Sequence, residues 1–287
     1  MTGLKIGGVP EHFNLPWRLS IEERLFNSIG LELHWSDMTG GTGQMIKGLQ
    51  TGSIDIAVLL TEGITKSILE GLDAKIVNIY VQSPLRWGVH VPVDSNFNSL
   101  SDLENGTFAI SRFGSGSHLM ALVHAKQAGW DASKLKFNVV GDVYGGLWAL
   151  ENREADGFLW EKFTTKPFVD QGKCKCIGEV VTPWPCFVIA VRNEILEKHS
   201  EVINEMSKIV GNRAFQLKND EQAIQTFSWR YHLEPEDVKL WLSETIWNYN
   251  MNFSEDSFDN TIAMLNQLNL IEAKALNDWK NVLFDIK

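Results

Sequence analysis

Thr39-Gly40-Gly41-Thr42-Gly43 stands between an apolar run, Leu31-Glu32-Leu33-His34-Trp35, and an amphipathic stretch in which Met45, Ile46 and Leu49 share one face. The passage reads as strand, glycine turn and helix, and its surroundings repeat that grammar. Downstream, Ile54 to Leu60 is a continuous apolar run broken only by Asp55, the pattern of a strand buried on both faces of a parallel sheet. Upstream, Leu4 to Val9 alternates like a short strand, and Pro10 to Trp17 reads as a loop because two prolines bracket it. Ser20 reads as the cap of a helix whose Ile21, Leu25 and Ile29 recur every four residues, with Gly30 as its C-cap. Strand, helix, strand, helix and strand joined by short connections predict βαβ units and a parallel sheet covered on both sides.

The same order restarts later in the chain. Phe108-Ala109-Ile110 reads as a strand, Ser111-Arg112-Phe113-Gly114-Ser115-Gly116-Ser117 as a second glycine-rich turn, and His118 to Ala128 as a helix stopped by Gly129. Phe137 to Val140 follows as a strand, then Tyr144-Gly145-Gly146 opens a helix, and Gly157-Phe158-Leu159-Trp160 is a further strand. The expectation is an α/β chain of two lobes, each a mainly parallel sheet flanked by helices. Residues 1–82 with 190–287 form lobe 1, and residues 90–182 form lobe 2. Proline-marked extended segments at about 80–92 and 180–191 would be two hinge crossings. From Asn193 onward the pattern is helical, with Pro235 placed as the first residue of a helix.

A length of 287 residues agrees with two domains, and 44% hydrophobic with 22% charged residues describes an ordinary globular protein. The net charge of −10, with no basic stripe, opposes binding to nucleic acid or anionic lipid. No apolar run is long enough to span a bilayer, so membrane insertion is not expected. Met1-Thr2-Gly3-Leu4-Lys5-Ile6 passes directly into a strand without a signal peptide. As it stands the chain is expected in the cytoplasm; with a signal already removed it would be periplasmic or otherwise extracytoplasmic. Cys174, Cys176 and Cys186 give no disulfide framework, and the seven histidines show no zinc spacing, so neither a metal nor another cofactor is expected. Ser117 and His118 are neighbours in sequence and point apart at a helix start, so a hydrolytic triad is not built and no catalytic residue is assigned.

The residues themselves suggest a clamp. A helix start exposes backbone N–H groups and partial positive charge, so two such starts facing one cleft would grip a polar or anionic ligand. Thr39, Thr42, Ser115 and Ser117 add hydroxyls there, although plain capping is the alternative role of each. Gly41, Gly114 and Gly116 would let a ligand approach the backbone, or would serve only backbone geometry. Trp17, Trp160 and Trp184, on loops or strand ends, are candidates to stack on a flat ligand, with Asn14 and Tyr144 in neighbouring loops. Thr61 and Glu62 close the third strand, where open parallel sheets place ligands, and Glu161 holds the equivalent place in lobe 2. Arg112 would pair with a ligand anion or remain solvated.

The chain resembles the type II periplasmic-binding-protein superfamily, in its branch of alkanesulfonate-binding proteins and thiamine-pyrimidine synthases. The resemblance is carried by Thr39 to Gly43, by Leu49-Gln50-Thr51-Gly52-Ser53-Ile54-Asp55-Ile56-Ala57 and by Gly114-Ser115-Gly116-Ser117-His118. It continues with Leu147-Trp148-Ala149-Leu150-Glu151-Asn152 and Asp156-Gly157-Phe158-Leu159-Trp160-Glu161, so that it covers roughly residues 4 to 190. The lack of an export signal is similar to a small group of relatives that stay inside yeast and bacterial cells. The resemblance implies a solute-binding protein that closes over a small anionic or heterocyclic organic molecule, and, for an exported chain, a transporter permease as partner. It implies as the alternative a biosynthetic enzyme of thiamine-pyrimidine or menaquinone-precursor type. Two departures bear on this: Lys162 follows Glu161 where many relatives have proline, and Pro183-Trp184-Pro185-Cys186-Phe187 keeps one sulfur where the thiamine-precursor enzymes have a cysteine cluster.

Overall fold

The computed structural model describes residues 1–249, 255–272 and 279–284, and the ten strands among those residues form two five-stranded sheets. By contacts the chain divides into unit 1, Met1–Pro84 with Pro183–Lys287, and unit 2, Leu85–Thr182.

Unit 1 begins with β1 (Thr2–Gly8), α1 (Leu15–Glu22), β2 (Leu31–Asp37), α2 (Gly41–Thr51), β3 (Ile56–Leu60), α3 (Thr61–Leu69) and β4 (Ala74–Val81). Unit 2 holds β5 (Arg86–Val91), β6 (Thr107–Ile110), α4 (Gly116–Ala128), β7 (Lys136–Val139), α5 (Val143–Glu151), β8 (Gly157–Glu161), α6 (Lys162–Asp170) and β9 (Lys175–Val181). The chain then re-enters unit 1 with β10 (Phe187–Arg192), followed by α7 (Asn193–Lys218), α8 (Ala223–Tyr231), α9 (Pro235–Glu244) and α10 (Glu255–Gln267).

Strand order is β2-β1-β3-β10-β4 in one sheet and β7-β6-β8-β5-β9 in the other. β10 runs antiparallel to both of its neighbours, as does β5, so the remaining strands of each sheet share one direction. The mainly parallel character is therefore present, with one reversed strand inserted per sheet. β3 and β10 are buried almost throughout, which is why their sequences are unbroken apolar runs.

Local geometry departs from the sequence reading near the N-terminus. Pro10 to Trp17 is not a loop throughout: His12–Asn14 form a 3-10 turn, and α1 starts at Leu15 with Pro16 in its first turn. Proline lacks an N–H that a first turn does not need, so here it opens the helix. Ser20 lies inside α1 and donates to the Pro16 carbonyl at 2.7 Å instead of capping. The stretch carrying Ile21, Leu25 and Ile29 is broken at Arg24, whose φ is 57°, and resumes as a 3-10 turn closed by Gly30.

Packed side-chain clusters hold these pieces. In unit 1 one face of the sheet packs Met45, Leu49, Ile54, Ala57 and Leu59 with Ile64, Ile76, Val188 and Phe258. Elsewhere in unit 1, Trp241 of α9 lies edge-on to His12 (centroids 4.3 Å apart), Phe13 (5.1 Å) and Trp247 (5.5 Å). In unit 2, Ala109, Ala149, Leu150, Ala155 and Phe158 pack with Cys174.

The α5 start is a tight turn. Asp142 caps it by accepting from the Gly145 N–H at 2.9 Å, and a Cβ at Gly145 would lie 2.0 Å from the Val140 carbonyl oxygen. That contact is with backbone, so it is not relieved by a rotamer change. Gly145→Ala is expected to destabilise unit 2 by about 2–4 kcal/mol, read as a lower melting temperature in calorimetry; an unchanged transition would show that the turn relaxes freely.

Candidate functional site

In unit 1 the turns that follow β1, β2 and β3 lie along one edge of the sheet. Gly8 at the end of β1 pairs with Asp37 and Val58, and its carbonyl accepts from the Met38 N–H at 2.9 Å. The β2–α2 turn brings in Gly40 as N-cap and Gly41 at φ 65°, a left-handed conformation that a side chain would strain. Thr42, buried in the first turn of α2, packs against the start of α3: its Cγ2 is 2.5 Å from where a Cβ of Gly63 would stand. The starts of α2 and α3 are thus adjacent.

The α3 start is tied to the segment that re-enters the unit. The Thr61 hydroxyl donates to the Pro185 carbonyl at 2.5 Å, the Thr61 N–H donates to the Cys186 carbonyl, and the Trp184 indole N–H donates to Glu62 Oε2 at 2.9 Å. Glu62 is 1% exposed, and its Oε1 has no hydrogen-bond partner. Burial pushes its carboxyl up to about 7, against the pull of its own backbone N–H and of Trp184. On the neighbouring β1–α1 turn, Asn14 is 2% exposed; its Nδ2 donates to the Val9 carbonyl at 2.8 Å and its Oδ1 has no partner. Asn14 also lines a recess of about 180 Å³ with Arg18, Trp35, Asp37 and Tyr231.

Unit 2 repeats the plan. The β6–α4 turn places Gly114 at φ 78°, and Ser115 caps α4 by accepting from the His118 N–H. Ser115 Oγ and Ser117 Oγ are 3.0 Å apart, and Ser117 Oγ accepts from the Ser111 N–H at 3.0 Å, so both hydroxyls hold the loop in shape. Arg112 in the same turn is half-buried, and desolvation lowers its guanidinium below the usual value. Glu161, 3% exposed, caps α6 by accepting from the N–H groups of Phe163 (3.1 Å) and Thr164 (2.6 Å) and from the Thr164 hydroxyl (2.7 Å). Burial pushes its carboxyl up to about 7 as well, against those three bonds. The start of α5 belongs to the same edge, since the Gly141 N–H donates to the Ser111 carbonyl at 3.2 Å.

A family model described as Ca3427-like PBP matches residues 87–180, nearly all of unit 2. Over the whole chain the structure is similar to the Candida albicans CA3427 gene product, described as having the generic periplasmic-binding-protein fold, at 25% identity and a TM-score of 0.90, covering 98% of this chain and 95% of that one. The fold is that of the type II periplasmic binding proteins. The alkanesulfonate-binding protein SsuA from Xanthomonas axonopodis pv. citri, bound to MOPS, is similar at 15% identity and a TM-score of 0.82, covering 99% of this chain and 98% of that one. The nitrate-binding protein NrtA from Synechocystis PCC 6803 is similar at 12% identity and a TM-score of 0.72, covering 99% and 86%. None of the curated protein sequences compared matches the chain. Among the described residues, no helix of this periplasmic-binding-protein fold is long and apolar enough to cross a membrane.

The binding-protein fold sorts the sequence candidates into groups. Asn14, Gly41, Thr42, Thr61, Glu62 and Trp184 stand on the strand-end edge of unit 1, and Thr39 lies in the same β2–α2 turn, next to the N-cap. Arg112, Gly114, Ser115, Gly116, Ser117, Tyr144, Trp160 and Glu161 stand on the corresponding edge of unit 2. Trp17 is the exception: it lies in α1, has no exposed surface, and packs on Phe26 and Tyr80. Its ring is covered because Pro16 sits in the first turn of a helix and not in a loop. Trp184 is buried too, so it orients Glu62 through its N–H and does not offer a free face. Phe113, a residue of the β6–α4 turn that the sequence reading does not single out, is 65% exposed beside His118 and Phe137. An apolar residue inside a glycine-rich turn, with no helix or strand face to join, is the signal that could have singled it out.

Proposed function

We propose that the chain is a solute-binding protein whose two units close over one small polar organic ligand. The observation that carries the reading is the repetition of one device. Each unit sets a glycine turn and a helix start, α2 and α4, at the carboxyl ends of its parallel strands, where open α/β sheets take ligands. The full-length likeness to SsuA and NrtA supports the same class. In this reading the α4 start and Arg112 receive the ligand's polar or anionic group, and the exposed rings of Phe113 and Tyr144 cover its flat part. The crossings near 84–85 and 182–183 act as the hinge. Two strands there, joined by a Leu85 N–H to Thr182 Oγ1 bond of 2.8 Å and a Thr182 N–H to Leu85 carbonyl bond of 3.0 Å, would bend as a pair. An exported chain would hand its solute to a transporter permease, and a chain kept in the cell would carry or sense it.

The test is recovery of a molecule from gently purified protein by mass spectrometry, followed by re-addition to stripped protein. Binding should quench tryptophan fluorescence, and the compound should come back unaltered; stoichiometric conversion would instead mark an enzyme. Gly116→Trp, which places a bulky ring at the α4 start, is expected to abolish the quenching with the circular dichroism spectrum preserved. Quenching at full affinity in that variant would remove the α4 start from the site.

A further inference from the structure

The unit 1 edge is not built like a receptor for an anion alone. Among the described residues, two of the buried side-chain oxygens without partners, Asn14 Oδ1 and Glu62 Oε1, stand at this edge, and both are acceptors when Glu62 is ionised. They stand on the turns that follow β1 and β3, adjacent parallel strands in which Gly8, the last residue of β1, pairs with Val58, two residues before the end of β3. The Asn14 amide cannot exchange its ends without losing the 2.8 Å bond from Nδ2 to the Val9 carbonyl, so its free atom is the oxygen. Glu62 is fixed in the same sense, because Trp184 occupies Oε2 with a donor and leaves Oε1. Buried polar atoms are satisfied in nearly all folded proteins, and one that is not points to a group the site receives.

Unit 2 adds a second buried carboxyl at the equivalent strand end, but its oxygens already serve the α6 start, so Glu161 is a scaffold and Glu62 is the open one. Glu62 and Asn14 thus give the unit 1 edge open acceptors beside the α2 start, where the α4 start with its adjoining Arg112 offers donors.

We infer that the ligand carries a cationic N–H donor group, of the amidinium or ammonium class, which the unit 1 edge receives on Glu62 Oε1 and Asn14 Oδ1. The inference rests on the solute-binding reading above and deepens it: the solute is dipolar, with its cationic end at unit 1 and its polar or anionic end at the α4 start. An amidinium suits the edge because its planar fork offers donors to two acceptors at once, and because a buried carboxylate compensated by a cation is more stable than one left alone. A purely anionic solute would instead meet the Glu62 carboxylate at close range, a like-charge contact in a desolvated place.

The experiment compares two probes of one shape and opposite charge, benzamidine and benzenesulfonate, by calorimetric titration of stripped protein and of Glu62→Gln, which keeps the size of the side chain and an acceptor for Trp184. Benzamidine should bind the wild type and lose at least tenfold in affinity in Glu62→Gln, with benzenesulfonate weaker than benzamidine by a similar factor. Benzenesulfonate binding tighter than benzamidine, or benzamidine binding unaffected by Glu62→Gln, would overturn the inference and leave the solute-binding reading standing. Failure of both probes would overturn the inference too, and recovery of a co-purified molecule then decides the broader reading separately.

Discussion

Glu62→Gln is expected to raise the melting temperature by about 5 °C at pH 8 and to leave it nearly unchanged at pH 5. The sign follows from proton linkage. Burial pushes the Glu62 carboxyl of the folded chain up to about 7, above its ordinary value of 4.5, so between those values the folded state holds the proton that the unfolded state has released. Stability contributed by this group is therefore complete below the unfolded value and is lost as pH rises through the folded one. The full loss corresponds to about 3 kcal/mol above neutral pH. Glutamine cannot ionise, so the variant escapes it. Glu161 is shifted in the same direction and keeps its own share of the slope. His12 and His90, held neutral by burial at about 3 and about 4, penalise the acidic side instead. Comparing wild type and variant at each pH cancels the histidines, and a difference independent of pH would show that Glu62 is not the group responsible.

Trp241→Ala is expected to cost about 3–5 kcal/mol and to lower the melting temperature of unit 1 by roughly 10 °C. Trp241 is 2% exposed, and besides His12, Phe13 and Trp247 it meets Phe227 at 5.0 Å. Phe13 is held in turn by Phe187 at 5.1 Å, and its carbonyl accepts from the Tyr80 hydroxyl at 2.7 Å. Removing the indole leaves a cavity under the segment that leads into Asn14. Affinity for the recovered solute should fall together with stability, measured by calorimetry and titration of the same preparation. A loss of stability without any loss of affinity would show that the turn holds its shape without α9.

Most of the fold was legible because its signals are local. Ile54 to Leu60 reads as a buried strand since β3 is covered on both faces, and Gly129 stops α4 at φ 73° as a C-cap should. Pro235 opens α9, where a missing N–H costs nothing. The misread segment, Pro10 to Trp17, failed where one residue type has two uses, since proline both breaks helices and begins them. The candidate site was legible as a set of turns but not as a set of contacts. Trp184 and Glu62 are 122 positions apart in sequence, and no spacing rule joins an indole N–H to a carboxylate across that distance. Nor does the sequence show that Ser115 and Ser117 turn their hydroxyls toward each other, because that depends on the path of the loop around Gly114.

The reversed strand β10 has a consequence for synthesis. It lies between β3 and β4, which have no direct pairing with each other, so the sheet of unit 1 stays split until residues 187–192 have left the ribosome. Unit 2 is one uninterrupted stretch and can fold while that strand is still being made. During this interval the edges of β3 and β4 are bare, and they are the surfaces a chaperone would be expected to cover on the nascent chain.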